Sequence, residues 1–144
     1  MKKKDGWFRR IWPGVLVLLV DRLVKWIHLT VAGDQTVHNS GMAFGMLQGN
    51  SSVILIVSVL LLIACFFLVR KSCPSGPALI ALSMIAGGAL GNMIDRLLHG
   101  YVIDMFPFFG WFVFNVADVG VVAGAGLCGW SLLFRPSDWS AKEK

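Results

Sequence analysis

From Ser52 to Val69 the chain carries no charged residue. Such a run approaches the roughly 20 residues that a helix needs to cross about 30 Å of hydrocarbon. A helix suits that medium because it satisfies its own backbone hydrogen bonds where no water can. Three further segments approach the same length. One runs over about 11–29 and is interrupted by Asp21, Arg22 and Lys25. Another covers 77–94 and opens on Pro77, which is tolerated in a first helical turn. The last covers about 112–134. Composition demands the same solvent. Of 144 residues 56% are hydrophobic and 15% charged, where a soluble domain carries about 25% charged residues. Mean hydropathy is +0.72. One short domain cannot bury so much apolar surface in its own core, so lipid must cover much of it. The expectation is an all-α membrane protein with four transmembrane helices, at about 11–29, 52–69, 77–94 and 112–134. Residues 1–144 then form a single membrane domain, with no room for a separate soluble one.

Lys2, Lys3, Lys4, Arg9 and Arg10 ahead of an apolar stretch resemble the start of a signal peptide. The charges inside that stretch, and the lack of a small-residue cleavage site after it, argue against one. Those same cations orient the chain, because short cytoplasmic segments are rich in Lys and Arg. Arg70 and Lys71 lie between the second and third spans, and Arg135, Lys142 and Lys144 follow the fourth. Residues 31–51 hold no Lys or Arg, and 95–111 hold only Arg96. Both termini are therefore expected in the cytoplasm and the charge-poor loops outside. Trp7, Trp12, Trp130 and Trp139 would mark the inner interface, and Trp26 and Trp111 the outer one. The net charge of +5 fits this topology and anionic headgroups, and gives no reason to invoke nucleic acid. Cys65 and Cys128 lie in spans and Cys73 in a cytoplasmic loop, which makes no case for a disulfide or a metal site.

Against this background four acids stand out: Asp21, Asp95, Asp104 and Asp118. A carboxylate at bilayer depth costs roughly 2.5–3.5 kcal/mol, and such residues mark functional sites by default. Each has polar company. Lys25 follows Asp21 by one helical turn, Asn92 and Arg96 flank Asp95, and Asn115 precedes Asp118 by three residues, a spacing that puts the two on one helix face. A span rising from Pro77 places Asn92 to Arg96 roughly 22–28 Å along its axis. Asn115 and Asp118 lie about one to two turns below the surface at the same end, and Asp104 lies in the connection. The polar residues thus converge on the outer leaflet. Ser83, Gly87 and Gly91, and Gly120 and Gly124, recur at the spacing that lets membrane helices pack closely.

His28, His38 and His99 have no matched nucleophile nearby in sequence, and no metal-ligand spacing such as HExxH is present. An aspartate pair is the remaining catalytic device. Two close carboxyls share a proton, so one can act as base on water and the other as acid toward a carbonyl. On the residues alone, amide hydrolysis, proton-coupled transport and structural ion pairing all remain open. An acid near the midplane and an internal repeat would favour transport; the acids here gather to one side and no repeat is visible.

The order of motifs narrows the field. The chain reads Asp21-x-x-x-Lys25, then Asn39-Ser40-Gly41-Met42-Ala43-Phe44-Gly45, then Gly88-Ala89-Leu90-Gly91-Asn92-Met93-Ile94-Asp95-Arg96. Gly100-Tyr101-Val102-Ile103-Asp104 and Phe114-Asn115-Val116-Ala117-Asp118 follow. Over about residues 15–130 this series resembles the lipoprotein signal peptidase family, also called signal peptidase II, which are bacterial membrane aspartyl peptidases. The resemblance implies a catalytic pair of Asp104 and Asp118, supported by Asn115. It implies that Asn39, Asn92, Asp95 and Arg96 line or brace the site, with Asp21 and Lys25 as the polar pair of the first span. It implies cleavage of diacylglyceryl-modified prolipoproteins on the N-terminal side of the lipidated cysteine, at the outer face of the bacterial cytoplasmic membrane. Lipid-modified substrates and membrane lipid are then the partners, with no cofactor, metal or obligate protein partner. Residues 31–51 would form a small extended β platform on the outer surface.

Overall fold

The computed structural model describes residues 4–32, 37–39, 51–72 and 76–139. Along the chain come α1 (Lys4–Ala32), β1 (Val37–Asn39), α2 (Ser51–Ser72), α3 (Gly76–His99), β2 (Val102–Asp104), β3 (Phe106–Phe108), β4 (Phe112–Phe114) and α4 (Val116–Phe134). A single 3-10 turn, Pro136–Trp139, closes the described chain. Three helices, α2, α3 and α4, are long and apolar enough to cross a membrane. The charges of Asp21, Arg22 and Lys25 keep α1 out of that set, although at 29 residues it is the longest helix described. It lies against α3 and α4 and completes a four-helix bundle.

The bundle is centred on α3. Half of its apolar window is buried, against 11% for α2 and 22% for α4. Its core face is rich in small residues, with Ala78, Ala81, Gly87, Gly88, Ala89 and Gly91 buried beside Leu79, Leu82 and Ile85. Large side chains such as Leu23, Ile56, Phe66, Phe67 and Val122 point outward, where lipid is the solvent. This is the membrane pattern of close backbone approach rather than interlocked bulky side chains. Gly14 of α1 and Gly87 of α3 sit face to face. A Cβ on Gly87 would land on the Gly14 carbonyl, and one on Gly14 would land on the Ser83 carbonyl. Ser83 Oγ also donates to the Arg10 carbonyl at 3.2 Å, close to the disturbance that Pro13 introduces into α1.

All four helices depart from the sequence expectation at one end or both. Helix α1 begins at Lys4 and α3 continues to His99. Gly100, with φ of 81°, ends α3, and its N–H reaches the Arg96 carbonyl at 3.0 Å. Helix α2 extends a little beyond 52–69 at both ends. The fourth helix does not start at Phe112. Phe112–Phe114 is strand β4, paired antiparallel with β3 in the register Phe106↔Phe114 and Phe108↔Phe112. Alternating aromatic and β-branched residues favour this local hairpin over a further helical turn. Of the platform expected over 31–51, Val37–Asn39 forms strand β1, which pairs with β2 in the register Val37↔Asp104 and Asn39↔Val102, whereas Val31 and Ala32 belong to α1 and Ser51 to α2. The rest of that segment, including Ser40–Gly45, lies outside the described residues, as does Cys73. Cys65 and Cys128 are free thiols.

The glycine contact yields a contrast. Gly87→Val is expected to lower stability by about 1–3 kcal/mol, because the inserted methyls force α1 off α3. Gly126→Ala, whose Cβ would meet nothing within 4 Å, is expected to stay within about 0.5 kcal/mol of wild type. Thermal unfolding of the detergent-solubilised variants checks both.

Candidate active site

Two layers of polar side chains stack at the strand-bearing end of the bundle. The deeper layer is ionic. Asp21 and Asp95 are 0% exposed and Lys25 is 2% exposed. Lys25 Nζ lies 3.0 Å from Asp21 Oδ2, one helical turn away, and 2.7 Å from Asp95 Oδ2 on α3. Arg22 spans the same two acids, at 2.8 Å from Asp21 Oδ2 and 2.6 Å from Asp95 Oδ1. It also donates to the Gly91 carbonyl at 3.0 Å. Two acids and two cations thus balance, with Asp21, Asp95 and Lys25 buried and the Arg22 side chain 28% exposed, and such pairing is the condition under which buried charge is tolerable. The two acids also serve the backbone. Asp21 Oδ1 accepts from Ala117 N–H at 2.9 Å, and Asp95 Oδ2 from Ile103 N–H at 3.2 Å. Gly91 has to be glycine here, since a Cβ would press on Asp21 Oδ2 and the Ala117 methyl.

Asn92 joins this layer to the next. Its Oδ1 accepts from Lys25 Nζ at 3.1 Å and from Asn115 Nδ2 at 3.0 Å, while its Nδ2 donates to Asp118 Oδ1 at 2.8 Å. Asn115 is the N-cap of α4, in an extended conformation. Its Oδ1 accepts from Asp118 N–H at 2.9 Å, and its own N–H donates to Asp118 Oδ2 at 3.2 Å. That reciprocal arrangement is a capping box. It gives the three-residue spacing of Asn115 and Asp118 its reason, in place of the shared helix face the sequence suggests. Asn115 Nδ2 also donates to Asp104 Oδ1 at 2.7 Å. Asn39, carried in by β1, donates to Asp104 Oδ2 at 2.7 Å. Both oxygens of each carboxyl are therefore held, and one asparagine touches both acids.

All nine sequence-singled residues lie in this connected zone. Asp104, Asp118, Asn39, Asn92 and Arg96 line a cavity of about 420 Å³. Asn115, Asp21, Lys25 and Asp95 form its buried support. Asp95 forms its salt bridges with Lys25 and Arg22, while its sequence neighbour Arg96 lines the cavity. Arg22 is the member that the sequence reading passed over. Its signal was a cation beside Asp21 in an apolar run, overshadowed by the turn-spaced Lys25. His38 stacks on Tyr101, with centroids 4.1 Å apart.

The rest of the cavity is apolar. Ile54, Val57 and Leu61 of α2 face Val121 and Val122 of α4, with Phe112 and Phe114 of the hairpin near the acids. Burial pushes the Asp104 carboxyl up to about 6. The Asn39 hydrogen bond draws it back, the negative charge of Asp118 pushes it up again, and Asn115 and Lys25 pull it down. A carboxyl near 6 beside a second acid can exchange protons with water and a bound carbonyl at physiological pH.

Comparison with known proteins agrees with this picture. A sequence profile of the family described as "Signal peptidase (SPase) II" matches residues 14–134. The lipoprotein signal peptidase of Moorella thermoacetica is 39% identical over 133 residues, covering 83% of this chain and 89% of its own. That of Pelotomaculum thermopropionicum is 41% identical over 107 residues, covering 74% and 70%. A bacterial membrane enzyme solved by the in meso method at 2.3 Å superposes with a TM-score of 0.78, at 28% identity over 94% of both chains.

Lys25→Met removes one cation and leaves Asp21 and Asp95 buried with excess negative charge. The expected loss is about 3–5 kcal/mol of stability, visible as a large drop in unfolding midpoint in detergent. A midpoint within error of wild type would show that Arg22 alone balances both acids.

Proposed function

The chain belongs to the signal peptidase II family of aspartic-type membrane peptidases, and on that premise we propose that it removes the signal peptide from diacylglyceryl-modified prolipoproteins, with Asp104 and Asp118 as the catalytic pair. The observation that carries this reading is Asn115. It holds Asp104 through its side chain and Asp118 through both side chain and backbone, at the polar end of an apolar cavity between α2 and α4. The distribution of Lys and Arg supports cytoplasmic termini and a site in the outer leaflet. A signal-peptide helix and two acyl chains then occupy the apolar walls, and the scissile amide meets the acids.

The pair works with one proton between its members. The ionised carboxylate takes a proton from water while the water oxygen bonds to the carbonyl carbon of the residue before the lipidated cysteine. The protonated partner gives its proton to the carbonyl oxygen. Collapse of the resulting diol breaks the C–N bond as one diol hydroxyl returns its proton to the pair and the pair passes a proton to the leaving nitrogen, so the pair ends with one proton again. Asn39, Asn92 and Asn115 fix the carboxyls; the Asp21–Arg22–Lys25–Asp95 cluster fixes the asparagines. Arg96 faces the cavity and contacts substrate.

The test is a gel-shift assay with a synthetic diacylglyceryl prolipoprotein beside the same peptide without lipid. Wild type is expected to cleave only the lipidated form. Asp104→Asn and Asp118→Asn are each expected to lower kcat by about 10³-fold or more while remaining folded in a thermal scan. Normal processing by either variant would refute the pair.

The pH profile follows from Asp104. Above about 6 its carboxyl ionises, the pair loses its shared proton, and the rate falls. At low pH the pair takes a second proton and the rate falls again. The alkaline limb of kcat/KM, which reports the free enzyme, is expected near 6. That of kcat lies higher, because bound lipid and peptide exclude water and disfavour the charged form further. The same upward displacement means that ionising Asp104 opposes folding. Its contribution favours the folded state in acid and is lost as pH rises through about 6.

A further inference from the structure

The hairpin β3–β4 bears a tip that cleavage chemistry does not require. Its turn is Phe109-Gly110, with φ of 46° and 76°, closed by Trp111 N–H on the Phe108 carbonyl at 2.9 Å. Residues 109–111 form a three-residue loop between the paired Phe108 and Phe112, and its two successive positive φ values favour glycine or asparagine. A phenylalanine there is a strained outlier, and such strain is a pointer to function. Phe109 is 85% exposed and Trp111 is 79% exposed. From Met105 to Ala117 the sequence has no charged residue. An uncharged, exposed aromatic tip marks an interaction surface.

Its position selects the occupant. The hairpin lies in the short connection between α3 and α4, so it sits where two spans reach one membrane surface. Phenylalanine and an indole at that level suit the boundary between headgroups and acyl chains. The rings also run inward as a strip. Phe109 meets Phe108 at 4.8 Å, Phe108 stacks on Phe112 at 5.2 Å, and Phe112 lies 6.2 Å from Phe114. Phe112 and Phe114 line the cavity that holds Asp104 and Asp118.

We propose that the Phe109–Trp111 tip is a lipid-immersed lip of the cavity, which anchors the hairpin in the bilayer interface and passes the acyl chains of the modified substrate onto Phe112 and Phe114. The identity of the substrate rests on the peptidase reading; the immersion of the tip does not.

Two measurements separate these claims. The first uses tryptophan emission in phosphatidylcholine vesicles, with or without bromine on shallow acyl carbons. The part of the emission lost on Trp111→Phe is expected to be quenched about twofold or more by the brominated lipid. Equal intensity in both vesicles overturns the proposal. The second is kinetic. Phe109→Ser with Trp111→Ser is expected to raise KM for the diacylglyceryl peptide about tenfold in vesicles, with kcat kept within about twofold. In detergent micelles, where no bilayer holds the substrate, the two proteins are expected to match. An unchanged KM in vesicles overturns the lip. Because two serines can disturb the turn, Phe109→Gly is the companion variant, since glycine accepts the positive φ. A kept or raised unfolding midpoint with a raised vesicle KM supports the lip, and a wild-type KM overturns it. Wild type that is quenched as expected yet cleaves nothing overturns the peptidase reading and leaves the immersed tip in place.

Discussion

Four charges that cancel hold this molecule in shape. Asp21 and Asp95 are wholly buried, and Lys25 and Arg22 reach both of them across the α1–α3 boundary. Removed from water, each charge alone would be prohibitive; together they tolerate an interior position only in one geometry. That geometry sets the rotation of α1 about its axis and the depth at which it meets α3. It also determines where α4 begins, because Asp21 takes the Ala117 N–H. Asn92 then transmits the positions of these charges to the upper pair of acids. The ionic layer is therefore a jig on which the hydrogen-bonded layer is assembled.

The jig needs helices closer together than ordinary side chains allow. Gly14 against Gly87, and Gly91 against Asp21, supply the approach. The outward faces need no such fitting, because lipid adapts to whatever Leu, Ile and Phe present there. Specificity is thus concentrated on the inward stripe of α3 and the two helices it meets, whereas α2 contributes mainly an apolar wall to the cavity.

This division explains what was legible in the sequence. Long apolar runs have an unambiguous physical meaning, and the acids within them stood out by cost alone. The spacing of Asp21 and Lys25 was read correctly because it is an intrahelical fact. Partnerships between elements were not readable. Arg22 with Asp95 joins α1 to α3, and Asn39 with Asp104 depends on a three-residue strand pairing across the fold. Strands so short leave no periodicity to detect, and β4 merges into the apolar run that reads as the start of the fourth helix. The role of Asn115 was half visible. Its spacing from Asp118 signalled proximity, but a cap and a shared helix face look alike until the backbone of Asn115 is seen to be extended.

That cap has one further implication. Asp118 gives one oxygen to the backbone N–H that begins α4 and the other to Asn92. Its orientation is therefore inseparable from the first turn of the helix. A molecule still inserting, or with its last helix unseated, has no aligned acid pair to offer. On the proposed reading, competence therefore arrives only with the completed bundle, because the acid pair and the cap of α4 form together.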